Sequence, residues 1–204
     1  MRHLAYESLL KKNNKNSYTP AQVYFTYSKP INQKHIGGIH YMEIKKIYNE
    51  VVTGCKYDFE VASKHNMEMI SSDVKASDLP HIEADFVTQN HVGCCLHYGM
   101  TLFAKLREQN IECYIAITKE ENPETHQKTD NHVSVCYLKN GRKYIADPVE
   151  TVKTGKGEYF DIPIEQFLKE QGTIWMFDPY GEYGNESFFR EFLSHPIEIL
   201  EEGE

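Results

Sequence analysis

His91-Val-Gly-Cys-Cys-Leu-His-Tyr-Gly-Met-Thr-Leu-Phe-Ala-Lys-Leu-Arg-Glu-Gln-Asn-Ile111 reads as a glycine turn running into a helix that begins at a pair of cysteines. From Cys95 the residues Gly99, Leu102 and Leu106 recur at helical period as an apolar stripe, with His97, Thr101, Lys105 and Glu108 on the opposite side. That pattern turns Cys95 toward the core and leaves Cys94 on the side of an exposed His97. Asn110 closes the helix, since asparagine accepts the left-handed conformation of a C-terminal cap. A thiol in the first turn meets unpaired backbone N–H groups and the positive end of the helix dipole, which favour thiolate. Free cysteine titrates near ~8.5, and such surroundings bring it to roughly 3.5–7.5. The position therefore predicts a nucleophile, against the plainer reading of a packed core thiol.

The bulk composition bounds the rest. With 204 residues, 40% of them hydrophobic, and 14 tyrosines and 10 phenylalanines in the apolar set, the chain suits one compact folded domain. A net charge of -8, with no basic run among the aromatics, argues against a nucleic-acid surface. No apolar run approaches the ~20 residues that span a bilayer, and the N-terminus has no signal-peptide centre, so no membrane partner and a cytoplasmic location are expected. The cysteines at 55, 94, 95, 113 and 136 are odd in number and form no CxxC, which points to reduced thiols.

Along the chain, residues 2–12 suit a short helix and 11–17 a polar loop. Thr19-Pro20 reads as a helix start, in competition with the strand propensity of 23–27. A helix from His40 to Val52, using Ile39, Met42, Ile47 and Val51, ends at Gly54. Residues 55–90 carry little pattern beyond strand-like pieces such as 57–61. Three strands follow at 111–117, 132–138 and 143–146, the last two joined by Asn140-Gly141 as a hairpin. The polar stretch 118–130 is a candidate rim of a site. Beyond it lie a possible strand at 158–161, a helix from Pro163 to Gln171 stopped by Gly172, a helix near 186–193 and an acidic end.

Nucleophilic thiol catalysis needs a base, a group that orients the base, and donors for an oxyanion. The hairpin brings His132 and Asp147 to the same end of adjacent strands, eight residues before Asn140 and six after Gly141. In that register the Asp147 carboxylate accepts from one ring nitrogen of His132 and leaves the other for Cys95. The catalytic set is Cys95, His132 and Asp147, with Cys95 rather than Cys94 as nucleophile.

Gly93-Cys94-Cys95-Leu96-His97-Tyr98-Gly99, with Arg107 and Ile111 downstream, resembles the Gly-x-Cys-x-x-aromatic-small helix of the transglutaminase-like superfamily. Asn131-His132-Val-Ser-Val135 matches its histidine at a strand start, and Asp147-Pro148 after Gly141 matches its acid; the resemblance covers about 89–150. It implies an α+β, papain/transglutaminase-like fold, with the catalytic cysteine at the N-terminus of a helix packed on an antiparallel sheet. The corresponding domain organisation is a single domain, 1–204, with a helical N-terminal extension of about 1–54 and a catalytic core of about 85–180. By similarity to papain-like proteases, Gln89 contributes a side-chain amide to the oxyanion hole. The doubled cysteine, and Asn110 where the family usually has glycine, depart from the pattern. So do the absence of Arg-Gly-Gly before the cysteine, as in arylamine N-acetyltransferases, and of the paired CxxC of peptide N-glycanases.

The expected activity is cysteine-dependent amide hydrolysis of a peptide or protein, of the peptidase or glutamine deamidase type, through a thioester. The alternatives are a transamidating acyltransferase of the same fold and a non-catalytic domain that binds a peptide or partner. His91, Cys94 and His97 are the candidate metal ligands, of which Cys94 and His97 share a helical face. The further candidates Cys113, Cys136 and His126 show no ligand spacing, so neither metal nor other cofactor is expected.

Overall fold

The computed structural model describes residues 23–25, 39–70, 74–121, 128–157, 159–171 and 174–180. The expectations for 2–17, for the 186–193 helix and for the acidic end lie outside them. Within the described residues the chain is α+β. A six-stranded sheet has the order β1-β8-β4-β5-β6-β7, formed by β1 (Val23–Phe25), β4 (Cys113–Glu121), β5 (Lys128–Lys139), β6 (Arg142–Ala146), β7 (Ile162–Pro163) and β8 (Ile174–Phe177). Its pairings are antiparallel apart from β1 beside β8.

The centre of the sheet follows the anticipated strands. β5 and β6 pair from Lys139–Arg142 to Val135–Ala146 around a turn in which Asn140 and Gly141 both have positive φ, 53° and 73°, as the tight hairpin turn requires. β4 and β5 are longer than expected: residues 118–121 and 128–130, anticipated as part of a polar rim, belong to strands. Both faces of the sheet are covered. Val133, Val135, Tyr137 and Ala146 join the core beneath α4 (Cys95–Glu108), while Ala116, Cys136 and Ile145 pack with Ile164 and Phe167 of α6 (Ile164–Gln171).

Helix α1 (Ile39–Val52) buries Ile44, Ile47, Tyr48 and Val51, spaced i, i+3, i+4, i+7, and ends before Gly54 at φ 75°. Met42, counted with its apolar face, is exposed instead. The poorly patterned region is mostly helix: a two-residue β2 (Lys56–Tyr57) precedes α2 (Phe59–Ile70) and α3 (Leu79–Asn90), so the strand expected at 57–61 is a helix start. His91, in the left-handed conformation at φ 54°, ends α3 and turns the chain into β3 (Val92–Gly93), which pairs with β2. Of the strand expected at 158–161, residues 159–161 form a bend instead; the two-residue β7 follows at Ile162–Pro163, and the helix expected from Pro163 starts at Ile164.

α4 is more deeply enclosed than a one-sided stripe allows. Gly99 permits the close approach to β5: a Cβ there would sit 2.7 Å from Cγ1 of Val133. With α3 packed on its other side, His97 and Thr101, expected to be exposed, are buried at 0% and 1%. Asn110 has φ 57° just beyond the helix, in keeping with its role as a stop. No helix among the described residues is long and apolar enough to cross a membrane.

Candidate active site

The first turn of α4, the start of the buried part of β5 and the end of β6 converge on one another. His132 lies opposite Thr118 in the β4–β5 ladder and is almost fully buried. Asp147 follows β6 and is the N-cap of α5 (Pro148–Thr154). Its Oδ1 accepts from the backbone N–H of Glu150 at 3.2 Å, and its Oδ2 accepts from Nε2 of His132. One carboxylate thus starts a helix and fixes an imidazole, with Pro148 at the favoured first helical position. Tyr48 of α1 holds the backbone beneath it, donating to the Asp147 carbonyl at 2.9 Å and lying 2.5 Å from the Thr151 hydroxyl.

Sequence spacing anticipated the meeting of His132 with Asp147, and the structure adds how it occurs. Val135 faces Ala146, so the hairpin register continued by one residue sets Asp147 beside Ser134. The carboxylate therefore reaches His132 diagonally, a separation that side chains of this length span. With Nε2 engaged, Nδ1 is the nitrogen left for a thiol.

Cys95, the first residue of α4, is the half-buried member of the cysteine pair and interacts with His132. Cys94 is the N-cap and is buried. Cys95 packs against the core, as its place on the apolar stripe predicts, but Cys94, expected to share an exposed side with His97, is the more deeply buried of the two. Cys94 takes part in a capping box: its sulfur faces the backbone N–H of His97, while its own N–H donates to Nδ1 of His97 at 3.4 Å. Gly93 makes room for that turn, since a Cβ there would meet Cβ of His97 at 2.8 Å.

Interaction between the two neighbouring thiols divides their acidities. Cys94 is pulled below the usual thiol range by the Cys95 thiol, helped by the N–H groups of Leu96 and His97 and opposed by burial. Cys95 is held well above it by that same interaction, then by burial, with His132 pulling the other way. The expected fall in the Cys95 pKa is thus corrected for the resting state: the helix terminus favours a thiolate, but Cys94 sits where the N–H groups converge. Gln89 stands exposed in the last turn of α3.

Of the metal ligands that the sequence offers, His91 is exposed at the end of α3, and the Cys94 sulfur lies 3.2 Å from Nδ1 of His97. Cys113 and Cys136 are buried in strands on opposite faces of the sheet. The sequence did not reveal a different group. His97 turns its other nitrogen, Nε2, toward Glu83 of α3 at 3.4 Å, and His65 of α2 approaches the same carboxylate oxygen at 3.3 Å. Burial pushes the His97 pKa down, with Glu83 and Cys95 opposing.

No family model matches the chain, and no curated protein matches it. Among solved structures it is similar to a crystal structure of a TGase, 13% identical, with a TM-score of 0.34, over 76% of this chain and 40% of that one. The chain thus spans less than half the length of that protein.

Proposed function

We propose that the protein is a cysteine-dependent amide hydrolase that acts through Cys95, His132 and Asp147. The reading is supported above all by one arrangement: a half-buried thiol at a helix N-terminus interacts with an imidazole that a buried carboxylate holds through Nε2. Access favours Cys95 over Cys94, since the latter is buried and its sulfur is committed to the helix cap and to His97.

The chemistry follows from those roles. Sγ of Cys95 gives its proton to Nδ1 of His132 as it bonds to an amide carbonyl carbon, and Asp147 stabilises the imidazolium formed. The oxyanion faces the backbone N–H at the start of α4, with the Gln89 amide as a second donor. As the tetrahedral species collapses, the C–N bond breaks, and the departing amine takes the proton from His132. Water then gives a proton to His132 and attacks the thioester carbonyl, releasing the acid and returning the proton to the Cys95 sulfur. The thiolate tendency of Cys94 leaves this scheme intact, because Cys95 is the thiol that donates to His132 in the attack.

The acyl donor is a peptide or a glutamine side chain. To test the reaction class, a substrate found by peptide profiling is supplied with a fluorescent primary amine in excess. Release of the free acid, lost in Cys95→Ala, supports hydrolysis; amine incorporation outrunning release makes the protein a transamidase. Neither product from a broad peptide panel leaves the domain a binder.

A further inference from the structure

Three helices bring three ligand-type side chains to one buried point beside the first turn of α4. His65 comes from α2, Glu83 from α3 and His97 from α4, and one donor atom of each lies within 4.8 Å of the other two. We propose that His65, Glu83 and His97 bind a divalent transition-metal ion of the zinc class.

The first support is polar groups without partners. Both oxygens of Glu83 and the Nε2 atoms of His65 and His97 are buried with no hydrogen-bond partner, and Glu83 and His97 are themselves 0% exposed. A carboxylate stripped of water and faced only by two misaligned imidazoles, with no hydrogen bond, is unfavourable, and a dication among the three donors removes the deficit. The two nitrogens stand 3.3 and 3.4 Å from the same carboxylate oxygen without the alignment of hydrogen bonds. Two ligand atoms about 2.1 Å from a tetrahedral ion lie about 3.4 Å apart, so the lone pairs converge at metal-ligand spacing.

The second support is the shell around the donors. Metal-bound histidines donate their other N–H, and ion binding selects the His97 tautomer with its proton on Nδ1, which the Cys94 sulfur 3.2 Å away accepts, so that the Nε2 lone pair faces the ion. Phe86 stacks on His65 with ring centroids 4.0 Å apart and flanks His97 at 5.1 Å, fixing both rings in an apolar setting. Two imidazoles and one carboxylate select zinc, cobalt or nickel over magnesium and calcium, which prefer oxygen donors. The ion ties α2 and α3 to α4 at His97, two residues from Cys95; it is a clamp on the turn that carries the thiol.

The full-length protein, stripped with a chelator and dialysed, is titrated with Co²⁺ and followed by visible absorption, and its thermal midpoint is recorded with and without Zn²⁺. The site requires stoichiometric uptake with ligand-field bands of nitrogen and oxygen donors, no sulfur-to-cobalt charge transfer, and a midpoint raised by Zn²⁺. Cys94→Ala keeps the uptake. His65→Gln, at the half-buried ligand, and the near-isosteric Glu83→Gln each lose it, as does their midpoint shift, while circular dichroism verifies their fold. No cobalt spectrum and no Zn²⁺ shift in the wild type would overturn the proposal in favour of a metal-free His–Glu–His cluster. So would charge-transfer bands, which mean thiolate binding, or unchanged uptake in a folded His65→Gln.

Discussion

His132 and Asp147 meet diagonally across the β5–β6 hairpin, and the carboxylate that holds the imidazole also caps α5 through the Glu150 N–H. The two tasks fall on different oxygens, so substitution can separate them. Asparagine caps helices as well as aspartate but cannot stabilise an imidazolium. Asp147→Asn is expected to keep the stability of α5 while turnover falls on the order of a thousandfold to ten-thousandfold. Asp147→Ala loses the cap as well, at about 1 kcal/mol. Urea denaturation read beside turnover checks both; equal stability losses in the two variants would refute the division.

Close approach of α4 to β5 depends on Gly99. A methyl group there meets Val133 at 2.7 Å, in an interior with no slack. Gly99→Ala is expected to destabilise the fold by about 1–3 kcal/mol. Adding Val133→Ala is expected to recover part of that loss despite removing core volume, a non-additivity that a double-mutant cycle measures.

Burial pushes the Cys136 thiol up to about 12 from 9.0. Because the folded state keeps this thiol protonated while the unfolded chain ionises near 9, the stabilisation is complete below about pH 9. It is lost as the pH rises toward about 12, by about 4 kcal/mol in all. Denaturation curves at pH 8 and pH 10.5 are expected to show a fall in stability that is smaller in Cys136→Ala. An equal fall in the variant would assign the alkaline limb to other groups.

Much of the central fold was legible because its signals are local. Asn140-Gly141 fixes the hairpin through two positive φ angles, Asn110 stops α4, and hydrophobic period marks α1 and the middle strands. α2 and α3 escaped because their faces mix buried Glu83 and half-buried His65 with apolar residues, so polarity no longer tracks exposure. The same cause hid the orientation of α4: a stripe rule sends His97 outward, but a helix enclosed by β5 and α3 buries its polar side as well. The His132–Asp147 pair could be read from turn distance and strand ends alone. The cluster of His65, Glu83 and His97 could not, since its members sit on three helices whose packing no short motif records.

The assignment of Cys95 as nucleophile is tested most directly by where a thiol electrophile lands. The native protein is treated with limiting iodoacetamide at neutral pH and mapped by tryptic mass spectrometry, in the wild type and in Cys94→Ala, Cys95→Ala and His132→Ala. The account requires a dominant adduct on Cys95 that persists in Cys94→Ala, vanishes in Cys95→Ala and forms more slowly in His132→Ala. A dominant adduct on Cys94 that survives in Cys95→Ala would contradict it.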